Sequence, residues 1–199
     1  IIALGIFCMN IQALTGTLYQ IVAHATSTGV LFLLLGIIEE RTESRNIEDF
    51  GGLAAKAPVF AFFFAVAMLA SVGLPGTSGF IGEFLIILGA VKFNPIIAVF
   101  AGTTLIIGVC YMLWLFQRVF FEKPSSKLAD FSDLSAIEIL TILPIVILIV
   151  VMGIYPQPFI AKIEPSAERQ MAVIEKVQQI ADYRIDSLKP GQELKTGDQ

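Results

Sequence analysis

Residues 57–91 read APVFAFFFAVAMLASVGLPGTSGFIGEFLIILGAV, and Glu83 is the only ionisable side chain in that run. As one straight helix at 1.5 Å per residue the run would be roughly 50 Å long, against about 30 Å of bilayer hydrocarbon. A single plain spanning helix is therefore excluded. Gly73, Pro75, Gly76 and Gly79 fall inside GLPGTSG, where helix propensity is at its lowest. The spacing predicts two half-helices, over 58–72 and 80–91, with unwound backbone at 73–79. Unwound backbone persists at membrane depth only where it lines protein or water, because lipid offers its N–H and C=O groups nothing. Broken helices of this kind recur in ion-coupled membrane proteins.

The rest of the chain supports a membrane setting. It is 56% hydrophobic and only 15% charged, too little charge for a soluble domain of this length. Its net charge of −4 lies in loops and tail and gives no reason to expect nucleic acid. Cys8 and Cys110 sit in apolar runs without CxxC or Cys/His spacing. Both read as small buried hydrophobes, with no disulfide framework and no metal site. The opening IIALGIFCMN has no basic n-region, so no signal peptide is expected; the chain reads as a C-terminal fragment.

Residues 1–9 read as the end of one span, and 10–16 as a short polar turn. Residues 17–38 are long enough to cross and carry the single histidine, His24. A loop dense in charge follows at 39–56, then the broken segment. Residues 92–95 form a tight turn that sets Pro95 in the first turn of the next helix. Residues 96–117 span again, a polar loop runs to about 135, and 136–155 form the last span. Pro144 is expected to kink it, and Pro156 and Pro158 to stop it. Beyond lies a predicted amphipathic surface helix over 156–188, with Ile160, Ile163, Ala167, Met171, Ile174, Val177, Ala181 and Ile185 at three- and four-residue steps. It suits a membrane surface or partner subunits. A disordered tail is predicted over 189–199. The expected fold class is all-α: a polytopic transmembrane helix bundle with one broken helix in its membrane part, 1–155.

Arg41, Arg45 and Lys56 lie in the loop 39–56, and Arg118, Lys123 and Lys127 in the loop 117–135. The opposite short loops hold only Lys92. Excess Lys and Arg mark the cytoplasmic side, so both basic loops are expected there, with the tail on the opposite side.

Glu83 leads the candidate residues, because an ionisable group inside a span is costly and marks a function by default. The bland alternative, a headgroup carboxylate paired to Lys92, requires tertiary help, since the two are too far apart along the helix. His24 is second. Gln20, His24 and Ser27 or Thr28 share one helix face. A polar stripe on a span normally faces the bundle interior, and imidazole passes protons through either nitrogen. Gln20, Ser27, Gly73, Pro75, Gly76 and Ser78 are supporting polar or break residues. Ser71, Thr77 and Ser78 flank the break and satisfy freed backbone groups. Thr103, Thr104 and Tyr111 read as hydroxyls bonded to their own helix or gluing helices together. The cluster Phe60, Phe62, Phe63 and Phe64 reads as packing bulk or lipid-facing surface, and Arg118 as a snorkelling anchor.

The stretch ASVGLPGTSGFIGEF at 70–84 resembles the broken-helix signature of the antiporter-like membrane subunits of respiratory complex I, NADH:quinone oxidoreductase. LYQIVAHATSTGVLFLLLGIIEERTESRNIEDFGGLAAKAPVF at 18–60 is similar to the same family. The match covers the chain to about Tyr155 and is nearest the M-chain branch, since related branches mostly place lysine where Glu83 stands. The resemblance implies inverted five-helix repeats, each with a broken helix. It assigns His24 to a central polar axis and Glu83 to the exit half of a proton path. It implies that the central lysine and the first-repeat glutamate–lysine pair lie outside this stretch, so the fragment is not expected to be active alone. It implies partner membrane subunits in the lipid bilayer, a bacterial inner membrane more readily than a mitochondrial one, and no redox centre in this chain. NADH, flavin, iron–sulfur clusters and quinone would belong to other parts of the complex. The sequence itself contains no GxGxxG or cysteine set for them. The alternatives are a subunit of a sodium/proton antiporter or of a membrane-bound hydrogenase complex, or a non-pumping membrane scaffold.

Overall fold

A computed structural model describes residues 1–123, 128 and 131–187, with the side chains of 186 and 187 excepted. The predicted disordered tail, and most of the polar loop from 124 to 130, lie outside the described residues. Among the described residues there are helices and no strands: α1 Ile2–Phe7, α2 Ile11–Thr42, α3 Leu53–Lys56, α4 Pro58–Ser71, α5 Ser78–Phe93, α6 Pro95–Phe121, α7 Ala136–Ile154 and α8 Gln157–Ser187. A 3-10 turn, Ile47–Asp49, sits between α2 and α3. α2, α6 and α7 are each long and apolar enough to cross a membrane, and α4 is a shorter apolar helix.

The pairing of α2 with α5 forms the centre, and small residues permit it. A Cβ added to Gly82 would meet Gln20 Cα at 2.8 Å, and one added to Gly89 would meet Ala13 Cα at 2.8 Å. From the other side, a Cβ on Gly16 would meet Gly82 O at 3.0 Å. Glycine at such crossings lets two backbones approach closely, which is how helices associate where burial from water supplies no driving force.

This pairing corrects the expected turn at 10–16. α2 begins at Ile11, where the Asn10 side chain accepts from Ala13 N at 2.9 Å and caps the helix. Asn10 Nδ2 also donates to Gly89 O at 2.9 Å, tying the start of α2 to α5. The polar character came from a cap residue and from Gln12 and Thr15, which lie within the first turns of α2. At the other end, α2 runs on to Thr42, so the loop at 39–56 is partly helical.

The long apolar segment is interrupted where its glycines fall. α4 ends at Ser71 and α5 starts at Ser78. Gly73 and Gly76 have φ of +72° and +93°, a region that costs a side-chain-bearing residue roughly 1–2 kcal/mol. Leu74 N bonds Leu69 O at 2.9 Å, and Thr77 offers both N and Oγ1 to Leu74 O at 3.0 and 2.7 Å. α7 closes the break from one side, because a Cβ on Gly153 would strike Gly76 O and the Thr77 backbone.

A polar clasp gathers one end of the bundle. Arg41, in the last turn of α2, forms a two-pronged ion pair with Glu138 of α7 at 2.6 and 2.7 Å. It also donates to Ser132 O at 2.6 Å and lies over the Phe131 ring at 5.3 Å. Asp133 accepts from Val59 N and Phe60 N, both at 2.9 Å, and so supplies from afar the N-terminal cap that α4 lacks. Ser135 and Glu138 form a capping box on α7. Beside the clasp lies the core, where Phe60 stacks on Phe120 and Phe64 packs against it at a tilt. Phe60, Phe63 and Phe64 are buried and only Phe62 faces outward.

Pro144 lies inside α7. Two other expectations need adjustment. Pro158 does not stop the chain but sits in the first turn of α8, where a missing N–H costs nothing. Cys8 is buried but Cys110 is exposed, because it lies on the outer side of α6, a helix with only Ala98, Val119 and Phe120 buried. Arg118 lies over the Trp114 ring at 5.0 Å and 3.6 Å from Glu122.

Along α8 the predicted stripe divides. Ala167 is buried, Ile160 and Ile163 pack against Tyr19, Ala23 and Met152, and Met171 and Ile174 line a groove with α1 and α2. Val177, Ala181 and Ile185 are exposed.

Candidate functional site

α6 joins the bundle at both ends and stands off in the middle. Ala98 packs with Ala90, Ala13 and Cys8 at one end, and Phe116 and Phe120 pack with Phe64 at the other. The space between is an open cavity of about 540 Å³. His24 and Thr28 of α2, Ser71 at the end of α4, Glu83 of α5, and Thr104 and Tyr111 of α6 reach it through an otherwise apolar wall.

Glu83 is positioned by the break itself. It lies one turn into α5, and its carboxylate folds back so that a Cβ on Gly73 would land on Oε2. Gln20 Nε2 donates to its other oxygen, Oε1, at 3.4 Å. Gln20 is buried, and its own Oε1 has no partner, as is true of Ser78 Oγ. His24, one turn along α2 from Gln20, opens onto the same cavity and is exposed. Its carbonyl accepts from Thr28 Oγ1 at 2.5 Å and Ser27 Oγ at 3.2 Å.

The structure thus brings Glu83 and His24 to one cavity, with Gln20 directly behind Glu83. Ser27 and Ser78 are buried and do not line it. The glycines and Pro75 shape the backbone. Thr103 and Thr104 bond back to Phe100 O and Ala101 O at 2.6 and 2.7 Å, yet Thr104 and Tyr111 also face Glu83 across the cavity. Helical spacing on α6 alone does not show what stands opposite. The Arg41 clasp was also missed as a unit, although Ser135 and Glu138 three residues apart are a recognisable capping signal. Among the described residues no group of His, Cys, Asp and Glu is placed to hold a metal ion.

Chemically, the cavity holds a carboxylate and an imidazole, both able to gain and lose a proton, beside a helix break. Hydroxyls of Thr28, Ser71, Thr104 and Tyr111 share its lining, and the Gln20 amide stands behind Glu83.

Residues 1–108 match the model of the family described as NADH:quinone oxidoreductase/Mrp antiporter, TM. NADH-quinone oxidoreductase subunit M of Rickettsia bellii is 40% identical over 168 residues, covering 84% of this chain and 34% of the relative. NADH-ubiquinone oxidoreductase chain 4 of Marchantia polymorpha is 39% identical over 161 residues, covering 80% of this chain and 32% of the relative. The chain therefore spans about a third of the length of these relatives. A chain of respiratory complex I from Thermus thermophilus, solved with bound NADH, superposes with a TM-score of 0.80 at 38% identity, over 86% of this chain and 36% of that one. A chain of the Mrp complex from Dietzia sp. DQ12-45-1b shares the fold, with a TM-score of 0.73 at 19% identity over 83% of this chain and 39% of that one. An integral membrane protein with this broken helix and this family match, the chain belongs to the NADH:quinone oxidoreductase/Mrp antiporter transmembrane family.

Proposed function

We propose that this chain is part of the proton-translocating membrane subunit, of the M type, of an NADH:quinone oxidoreductase. Electron transfer from NADH to quinone takes place in other subunits, and this chain holds no flavin, iron–sulfur or metal centre. Its partners are the other membrane subunits of the respiratory complex and the lipid around them. Glu83 and His24 exchange protons with water in the cavity that they share, Glu83 on the exit half of the path. The opening of both groups onto one cavity at the helix break carries this reading. The similarity to relatives named as subunit M supports the choice of complex.

In an intact complex containing this chain, Glu83→Gln or His24→Asn is expected to depress proton pumping while assembly persists. Assembled complex pumping at the wild-type rate with both variants would return the chain to a scaffold role. The chain by itself is expected to support no rapid, selective proton flux in vesicles under a pH gradient.

A second reading, a sodium/proton antiporter subunit, is supported by the family description, which also names the Mrp antiporter. It predicts proton movement that depends on sodium, where the first reading predicts none. On the sidedness of a bacterial inner membrane, Arg41, Arg45 and Lys56 support a cytoplasmic loop at 39–56. A cysteine at Ser44 is expected to resist an impermeant thiol reagent outside intact cells, and labelling from outside would invert the topology.

A further inference from the structure

We infer that Gln20 is the positioning residue that holds Glu83 in both of its protonation states, an inference that rests on the relay role proposed for Glu83. Gln20 is 6% exposed. Its amide is held in place by the α2–α5 crossing, since a Cβ on Gly82 would collide with Gln20 Cα, Cβ and Oε1 together. Nε2 donates to Glu83 Oε1 at 3.4 Å, while Gln20 Oε1 is buried with no partner.

A carboxylate accepts hydrogen bonds only, whereas a carboxylic acid carries one O–H donor. Gln20 Oε1, on the same amide as the Nε2 that reaches Glu83, has no donor, and the proton that Glu83 takes up can supply one. With Glu83 ionised, the amide N–H supports the negative oxygen. With Glu83 neutral, its O–H donates to Gln20 Oε1 and the acid and amide pair. The proton arrives on a carboxylate oxygen and leaves from it, and no other bond forms or breaks. A glutamine provides a donor and an acceptor on one planar group, which no aliphatic side chain does.

Among the described residues, the other ionisable side chains that face Glu83 do so across the cavity: His24 from α2 and Tyr111 from α6. α4 has no ionisable residue. The only one on α7, Glu138, is held by Arg41. α8 meets this region through Phe159, Ile160 and Ile163. On α5 itself Lys92 lies roughly two and a half turns away.

The test is infrared difference spectroscopy across a pH step on the intact membrane complex. The protonated-carboxyl band of Glu83 is assigned by its loss in Glu83→Gln. In Gln20→Met, which keeps the length and shape but no hydrogen bond, that band is expected to move to higher frequency. Gln20→Asn, with the amide kept but set back, is expected to give a smaller move. Should Gln20→Met fail to assemble, the wild-type complex grown with isotopically labelled glutamine serves instead. Its Gln20 side-chain amide band is expected to respond to the pH step and to stop responding in Glu83→Gln. An unshifted Glu83 band in assembled Gln20→Met, an amide band blind to the pH step, or no band removed by Glu83→Gln overturns the inference. Wild-type pumping in Glu83→Gln overturns the relay reading instead, and the band positions do not depend on that result.

Discussion

The Glu83 carboxylate occupies the space that a side chain on Gly73 would fill. The helix break and the carboxylate are therefore one structure: the left-handed turn at Gly73, φ +72°, creates the pocket into which Oε2 folds. This explains why an intramembrane carboxylate lies one turn beyond a glycine-rich break.

Gly73→Ala meets both constraints at once. The backbone costs roughly 1–2 kcal/mol at positive φ, and the new methyl must displace Glu83. Gly76→Ala, at φ +93° with open space where the Cβ would go, meets the first constraint alone. Both variants are expected to lower thermal stability, Gly73→Ala by more. Only Gly73→Ala is expected to depress proton pumping in assembled complex. Stability scans and vesicle acidification on the pair check this, and equal effects on pumping would contradict it.

Tyr19 is buried, and its hydroxyl donates to Met152 O at 2.6 Å. That carbonyl lies in the last turn of α7, where helical partners run out. Tyr19→Phe leaves it unsatisfied and is expected to cost about 1–3 kcal/mol. A lowered unfolding temperature with little change in the pumping rate of surviving complex is the expected signature.

The clasp at the other end is testable as a pair. Arg41 and Glu138 side chains are 20% and 24% exposed, so water screens them only in part. Arg41→Gln and Glu138→Gln are each expected to destabilise. A double-mutant cycle should return a coupling of about 1–3 kcal/mol, in the range of hydrogen bonds to charged groups and of contacting pairs. A coupling near zero would reduce the pair to a surface contact.

Much of this architecture was legible because it is local. The Gly and Pro of GLPGTSG mark the break, and the structure moves its edges by only a few residues, to Ser71 and Ser78. Glu83 and His24 were conspicuous as ionisable groups in apolar runs. Asn10 was misread because a helix cap and a turn use the same residue types, and only the contact of Asn10 with Gly89 distinguishes them. What faces what across the cavity was not legible. Thr104 and Tyr111 share a cavity with Glu83 because α6 packs on the bundle near Ala98 and near Phe116 and Phe120, and no periodicity within α6 encodes that. Asp133 capping α4 across 74 residues is likewise a product of the assembled fold.

The role proposed for Glu83 is to relay protons. It is the only ionisable residue between Lys56 and Lys92, and it sits at the break with an amide behind it and a cavity in front. Glu83→Gln keeps size and polarity but cannot ionise. Glu83→Asp keeps the carboxylate one methylene shorter. The decisive measurement is NADH-driven vesicle acidification by intact complex carrying Glu83→Gln, normalised to complex assembled on a native gel, with Glu83→Asp alongside. The expected result is normal assembly, strongly depressed acidification in Glu83→Gln and partial activity in Glu83→Asp. Acidification at the wild-type rate by fully assembled Glu83→Gln would contradict the account.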